Sequence, residues 1–226
     1  MTQLTTESVQ NYLKAIYQLR AQDGEASAQD IAGLVGVSSP GVTKMLRHMA
    51  RHGLVQYTPY QPVQLTDLGE KIALEVIRHH RLLELYLTET LGFGWETVHS
   101  EAEKLEHHIS EEFEGAIERL LGYPGFDPHG DPIPTRDGQL PRPVTATLAA
   151  QADGALLIVR RVTDEYPPLL RYLGERGLRP GAVVRLIDRE PFGGSLRVLL
   201  AQREERITPQ AAQNVFVEPA PASEKS

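Results

Sequence analysis

The sequence predicts a mainly α-helical chain with a small β domain at its C-terminal end. Three observations carry that reading. Residues 5–66 run helix, tight turn, helix and two short apolar segments, the order of a winged helix-turn-helix. From Asp67 to about Leu121 the apolar spacing is helical. After the proline-rich stretch 122–143 the apolar runs become short and strand-like, with glycine-bearing turns between them, which suits a small β-barrel.

In order, "VQNYLKAIYQL" places Val9, Tyr12, Leu13, Ile16 and Leu19 at helical spacing. Ser27 and Asp30 form a capping box for a short helix that ends near Gly36. Ser39 and Pro40 read as N-cap and first residue of the next helix, which buries Val42, Met45, Leu46 and Met49 and stops at Gly53. "LVQY" and "PVQLT", joined by Thr58–Gln61, read as a two-stranded ribbon. One helix is expected from Asp67 to about Leu91 and another from Glu96 to about Leu121. The segment 122–143 has six prolines and four glycines, so no helix continues through it. "GALLIVRRV", "AVVRLIDR" and "LRVLLAQR" read as strands, and the last residues as a disordered tail. The domains implied are 1–72, 73–143 and 144–218, with 219–226 as the tail.

With 226 residues and 41% hydrophobic content the chain can bury a proper core, yet it has no run of eighteen apolar residues to span a membrane. "MTQLTTESVQNYLK" lacks the layout of a secretory signal. The absence of cysteine removes disulfides, iron–sulfur clusters and thiolate zinc sites, and is compatible with a cytoplasmic location. The net charge of −7 argues against nucleic acid until its distribution is read. Residues 1–78 are neutral, 79–140 carry −9 with six of the eight histidines, and 141–226 carry +2.

The neutral segment holds a basic island. Residues 31–66 contain Lys44, Arg47 and Arg51 and no acidic side chain. With the apolar side of the second helix-turn-helix helix buried, Ser38, Ser39, Pro40, Thr43, Lys44, Arg47 and His48 are the candidate DNA contacts. Tyr60 and Gln61 stand at the wing tip. A single unit with three cationic side chains is a weak electrostatic footprint, so a dimer is expected.

The acidic segment carries a second constellation in "HSEAEKLEHHISEEFE". On an ideal helix His99, Glu103, Glu106 and His107 fall within an arc of about 100°. His80 and Glu84 in "HHRLLE" are an i, i+4 pair on the preceding helix. Helices presenting His and Glu to each other can hold a divalent ion, and a shell of oxygen and imidazole suits Mn2+ or Fe2+. Neither zincin spacing occurs.

"NYLKAIYQL", "SSPGVTKML", "HRLLE", "EAEKLEHHIS" and "DPHGDPIP" together resemble the diphtheria-toxin-repressor family of metal-dependent transcriptional regulators, especially its manganese-responsive branch. The match over 141–218 to that family's SH3-like (FeoA-type) barrel rests mainly on "LLRYLGERGLRPG". The resemblance implies a helical metal-binding and dimerisation domain, and a homodimer that binds an inverted-repeat operator when Mn2+ is bound, repressing metal-uptake genes. It places a primary metal at Asn11, Glu103, Glu106 and His107, and a second at His80, Glu84, Asp127 and His129 with Asp164 from the barrel. His99 matches an ancillary ligand of iron-responsive members. Asn11 stands where relatives carry Asp or Met, and Glu7, one turn earlier, is the alternative donor. Iron-responsive members have Cys at the position of Glu103, so Glu favours manganese. Competing readings are an iron-responsive repressor of the same family, a winged-helix regulator sensing a small organic ligand, and a metallohydrolase using Glu106 or Glu84 as base. No nucleophile or oxyanion-donor motif supports an enzyme.

Overall fold

The computed structural model describes residues 6–163 and 166–220. It divides into two compact units. The first comprises Met1–His80, Leu105–Glu114 and Pro134–Gln139; the second comprises Arg81–Lys104, Gly115–Ile133 and Leu140–Ser226.

The first unit opens with α1 (Glu7–Asp23), α2 (Ala28–Val35) and α3 (Ser39–Arg51). Thr6 Oγ1 caps α1 by accepting from Val9 N. Ser27 caps α2 by accepting from Asp30 N at 3.1 Å, the first half of the expected capping box, while the Asp30 carboxylate accepts from the Ser27 hydroxyl rather than from its backbone N–H. Gly36 ends α2 in the left-handed region. The α3 cap is Ser38 rather than Ser39, so Pro40 falls one position further into the first turn. Leu13, Ile16, Ile31, Val42, Leu46 and Met49 close a single core between the three helices. A short ribbon follows, with β1 (Val55–Gln56) antiparallel to β2 (Gln64–Leu65). Its tip residue Tyr60 is exposed with φ 67°. Then α4 (Asp67–Leu91) begins as expected. Gly69 lies against Leu54: a Cβ there would sit 2.0 Å from the Leu54 carbonyl oxygen, which makes glycine obligatory at this approach.

Residues 96–121 are not one helix. α5 (Val98–Leu105) stops, Glu106–His108 form a turn, and α6 (Glu111–Leu120) restarts. Ser110 explains the restart, since its side-chain oxygen accepts from Phe113 N at 3.2 Å and three glutamates complement the first turn of α6. The helical arc drawn through Glu103, Glu106 and His107 is therefore corrected: Glu106 and His107 leave the helix axis.

In the second unit β3 (Leu156–Val162), α7 (Pro167–Glu175), β4 (Val183–Arg189), β5 (Leu196–Leu200), β6 (Arg203–Ile207), α8 (Pro209–Ala212) and β7 (Val215–Pro219) build an antiparallel sheet of order β6-β5-β4-β3-β7. Among the described residues β6 and β7 do not pair with each other, so the expected barrel is an open sheet. Alternating inward residues, including Leu157, Val159, Val184, Leu186, Val198 and Val217, pack on α7 through Leu170 and Leu173. β7 includes Pro219, the first residue of the expected tail; 221–226 lie outside the described residues.

α4 is polar where a core helix is usually apolar. Arg78, His79 and His80 are all buried. The Arg78 guanidinium donates to Glu114 and, at 2.8 Å, to the Pro134 carbonyl, while His79 faces Glu114 at 3.6 Å. The His79 hydrogen bond and the Arg78 guanidinium together depress the Glu114 carboxyl to about 2. A depressed carboxylate contributes stability that is present above the ordinary value near 4.5 and lost as pH falls toward 2. Glu114→Gln is thus expected to lower stability by roughly 1–3 kcal/mol at pH 7. Urea melts of parent and variant should converge as pH drops from 5 to about 2.5, and a pH-independent gap would contradict the assignment.

Candidate metal centre

In the first unit, Asn11 and Lys14 on α1 meet Glu106 and His107 from the turn after α5, and His80 on α4. His107 Nε2 lies 2.8 Å from Asn11 Oδ1, and its Nδ1 lies 2.6 Å from Gln10 Oε1. A neutral imidazole has one N–H, so it can donate to one of these oxygens while its other nitrogen presents a lone pair. Burial holds the His107 imidazole below its usual range against the pull of the Glu106 and Glu7 carboxylates, which keeps it in the form a metal requires. Glu106 is almost fully buried. Its Oε2 is 2.5 Å from His80 Nδ1, and Lys14 Nζ donates to both of its oxygens, at 2.9 and 2.8 Å. Burial works to raise the Glu106 carboxyl, but the His80 hydrogen bond and the Lys14 ammonium hold it below the usual range. Glu7 is exposed on α1.

In the second unit, Glu84, one helical turn beyond His80 on α4, meets Asp127 and His129 from the proline-rich loop. All three are buried, and one ligand atom from each lies within 4.8 Å of the others. Asp127 Oδ1 accepts from His129 N at 2.8 Å and Asp131 N at 2.9 Å, which folds the loop around it. Asp127 Oδ2 receives no hydrogen bond among the described residues, and Arg81 Nε lies 3.7 Å from it. Burial, with the Glu84 and Asp131 carboxylates nearby, pushes the Asp127 carboxyl well above its usual range, against the pull of Arg81 and His129. Two buried carboxylates with an imidazole between them and an orphaned oxygen make a set that a divalent cation fits: the donors are oxygen and nitrogen only. His99 Nδ1 sits 3.1 Å from Glu84 Oε1, and its Nε2 sits 3.6 Å from Glu103 Oε1. The Glu103 side chain is 56% exposed. Asp164 lies outside the described residues.

Three neighbours were not legible in the sequence. Lys14 reads there as one more helix-surface lysine. Arg81 clamps the loop by donating to the Pro132 carbonyl at 2.5 Å and facing Asp131 at 3.4 Å. Trp95, the chain's single tryptophan, accepts from His129 Nε2 through its carbonyl at 2.7 Å and stacks its ring on the imidazole. That bond assigns the proton to Nε2, so in the neutral imidazole the lone pair is on Nδ1, 3.7 Å from Glu84 Oε2, where a cation would take it. Trp95 is also packed in the core of the β domain, under Gly174 and Arg179.

The candidate DNA contacts lie at the surface of the helix-turn-helix and its ribbon. Ser38, Ser39, Pro40, Lys44, Arg47 and Tyr60 are exposed and Thr43 and His48 half-buried, opposite the buried Val42, Leu46 and Met49.

The chain matches three family models: the iron-dependent repressor N-terminal DNA-binding domain over residues 4–63, the iron-dependent repressor metal-binding and dimerisation domain over 66–135, and the FeoA domain over 146–219. It is 30% identical to the iron-dependent repressor IdeR of Mycobacterium bovis over 224 residues, covering 94% of this chain and 97% of that protein. The chain belongs to the iron-dependent (diphtheria-toxin) repressor family. Within that family it is 41% identical over 106 residues to the transcriptional regulator MntR of Escherichia coli, covering 47% of this chain and 68% of that one. A solved manganese-dependent transcriptional repressor in complex with manganese is similar at 37% identity and a TM-score of 0.84, covering 94% of this chain and all of that chain.

In this member of the iron-dependent repressor family the loop that carries Asp127 and His129 is docked on β3. Val162 N donates to the His129 carbonyl at 2.9 Å, and Arg161 faces Asp131 at 3.6 Å. Gly130, at φ 91°, lies so close that a Cβ would come within 1.9 Å of the Arg160 carbonyl oxygen. Gly130→Ala should therefore lift the loop off β3 and disturb the Glu84–Asp127–His129 set. The expected readout is faster amide exchange at Val162 and a red-shifted Trp95 emission. Unchanged exchange and emission would show that the loop tolerates the methyl group.

Proposed function

We propose that the chain is a manganese-dependent transcriptional repressor whose homodimer binds an inverted-repeat operator and restrains metal-uptake genes. The observation that carries this reading is the buried Glu84–Asp127–His129 cluster, a set of oxygen and nitrogen donors without sulfur. Hard oxygen donors and imidazole suit Mn2+. The manganese-dependent structural neighbour and the MntR relative support the same ion, while the IdeR relative supports Fe2+ as the alternative.

The primary site of this reading is Asn11, Glu103, Glu106 and His107, with Glu7 as a further donor and His99 as an ancillary ligand. The second is His80, Glu84, Asp127 and His129, joined by Asp164. A divalent ion supplies these groups with compensating positive charge. Asn11 then holds α1 against His107, and because Val9, Leu13 and Ile16 of the same helix pack in the helix-turn-helix core, the placement of α1 is also the placement of α3. Two recognition helices in a dimer match half-sites about one DNA turn apart only at one separation. The domains assigned to these roles are 1–72, 73–143 and 144–218. The matched models for a DNA-binding and a dimerisation domain support this partition of labour.

The test is retention of genomic DNA fragments by the purified chain with and without Mn2+, followed by sequencing. Mn2+-dependent enrichment of a palindromic site is expected. Metal-independent retention, or activation by Zn2+ but never by Mn2+, overturns the assignment. Glu106→Gln should abolish Mn2+-dependent retention with the dimer intact. Lys44→Ala should leave metal binding unchanged, weaken DNA binding across sequences and reduce the salt slope by about one.

A further inference from the structure

We propose that Lys14 is a tethered cation that competes with the divalent ion for Glu106, and so sets the metal concentration at which the first site fills. This rests on the reading of Asn11, Glu106 and His107 as metal donors.

Lys14 follows Asn11 by three residues on α1, so the ammonium and the Asn11 amide rise from adjacent positions of one helix face. Its Nζ sits across the carboxylate, 2.9 Å from Oε1 and 2.8 Å from Oε2, and 3.4 Å from His80 Nδ1. The Lys14 side chain is 10% exposed and that of Glu106 1%, so water screens little of the attraction. An ammonium has three donors and no acceptor. Bridging both oxygens, it lies where a bidentate cation would lie, and a divalent ion drawn to Glu106 meets a like charge at the same edge.

The alternatives are distinguishable. A merely structural ion pair would leave metal affinity unchanged when Lys14 is replaced, because the ion would bind elsewhere on the carboxylate. A lysine that aims the carboxylate at the metal would weaken binding when lost. Competition alone predicts tighter binding on removal of the charge. It also predicts that the metal frees the amine.

Mn2+ binding to the full-length chain is measured by the electron paramagnetic resonance signal of free Mn2+, for the parent, Lys14→Met and Lys14→Arg. Lys14→Met keeps the stem and is expected to bind the first-site Mn2+ at least tenfold tighter, while Lys14→Arg stays within about threefold of the parent. In chelator, Lys14→Met should melt below the parent, since Glu106 has lost its counter-charge, and Mn2+ should raise its melting temperature by more than it raises the parent's. Should Lys14→Met fold poorly, the parent itself decides. Acetylation of Lys14 by an amine-reactive reagent, read by mass spectrometry, should rise severalfold on Mn2+ addition as the ammonium leaves Glu106. Equal or weaker Mn2+ binding by Lys14→Met, or Lys14 labelling that Mn2+ does not change, overturns the proposal. A parent that binds no Mn2+ overturns the metal reading along with it.

Discussion

Glu106 sits almost out of water with the Lys14 ammonium across both of its oxygens and His80 on one of them. Everything near the first constellation depends on that neutralisation. Removing an ionised carboxylate from water costs several kcal/mol even after relaxation, and only a close cation with saturated hydrogen bonds returns it. Lys14 comes from α1, His80 from α4 and Glu106 from the turn after α5, so the charge requirement of one side chain joins three segments that the apolar pattern alone leaves independent. His107, next in the chain, is carried to Asn11 by the same turn.

The second unit answers the same requirement differently. Glu84 and Asp127 are buried beside each other and His129, and Arg81, whose Nε stands 3.7 Å from Asp127 Oδ2, hydrogen-bonds the Pro132 carbonyl rather than that carboxylate. Asp127 is therefore driven toward its neutral form, the opposite of Glu106. One carboxylate is hydrogen-bonded to its counter-charge; the other has its nearest cation, Arg81, at 3.7 Å and is buried beside a second carboxylate. This difference in electrostatic environment, rather than residue type, separates the two sites chemically.

The periodic parts of the fold were legible because burial and period agree there. Val42, Leu46 and Met49 mark the inner face of α3, and the capping box at Ser27 and Asp30 marks the start of α2. The break at Glu106–His108 was not legible, since "EKLEHHIS" continues a helical pattern through residues that the chain uses as a turn, and only the Ser110 cap announces the restart. β6 and β7 escaped notice because "REERI" is too charged to read as a strand and "VFVEP" merges with the tail. At the candidate site, His80 and Glu84 are legible as an i, i+4 pair on one helix face, whereas Asp127 and His129 follow only from the family resemblance, as spacing cannot show that a loop forty residues away closes on α4. Lys14, Arg81 and Trp95 were missed for one reason: each acts through a partner remote in sequence, and Trp95 does so through its carbonyl, which the side-chain code does not carry.

α4 shows what such partnerships demand of a helix. Arg78, His79, His80 and Arg81 are consecutive, so at 100° per residue they point to nearly every side of the axis. Each direction has its own acceptor: Glu114 and the Pro134 carbonyl for Arg78, the Glu106 carbonyl for His79, the Glu106 carboxylate for His80, and the Pro132 carbonyl for Arg81. An apolar helix can slide or turn by small amounts against its neighbours because dispersion has no preferred direction. Within the first unit the hydrogen bonds of Arg78, His79 and His80 to Glu114, the Pro134 carbonyl and Glu106 do, and a rotation that relieves one strains the others. Glu106 is therefore set against a helical turn whose rotation is fixed by directional bonds. A change of charge at Glu106 has to be absorbed by the turn that carries it, and that turn also carries His107.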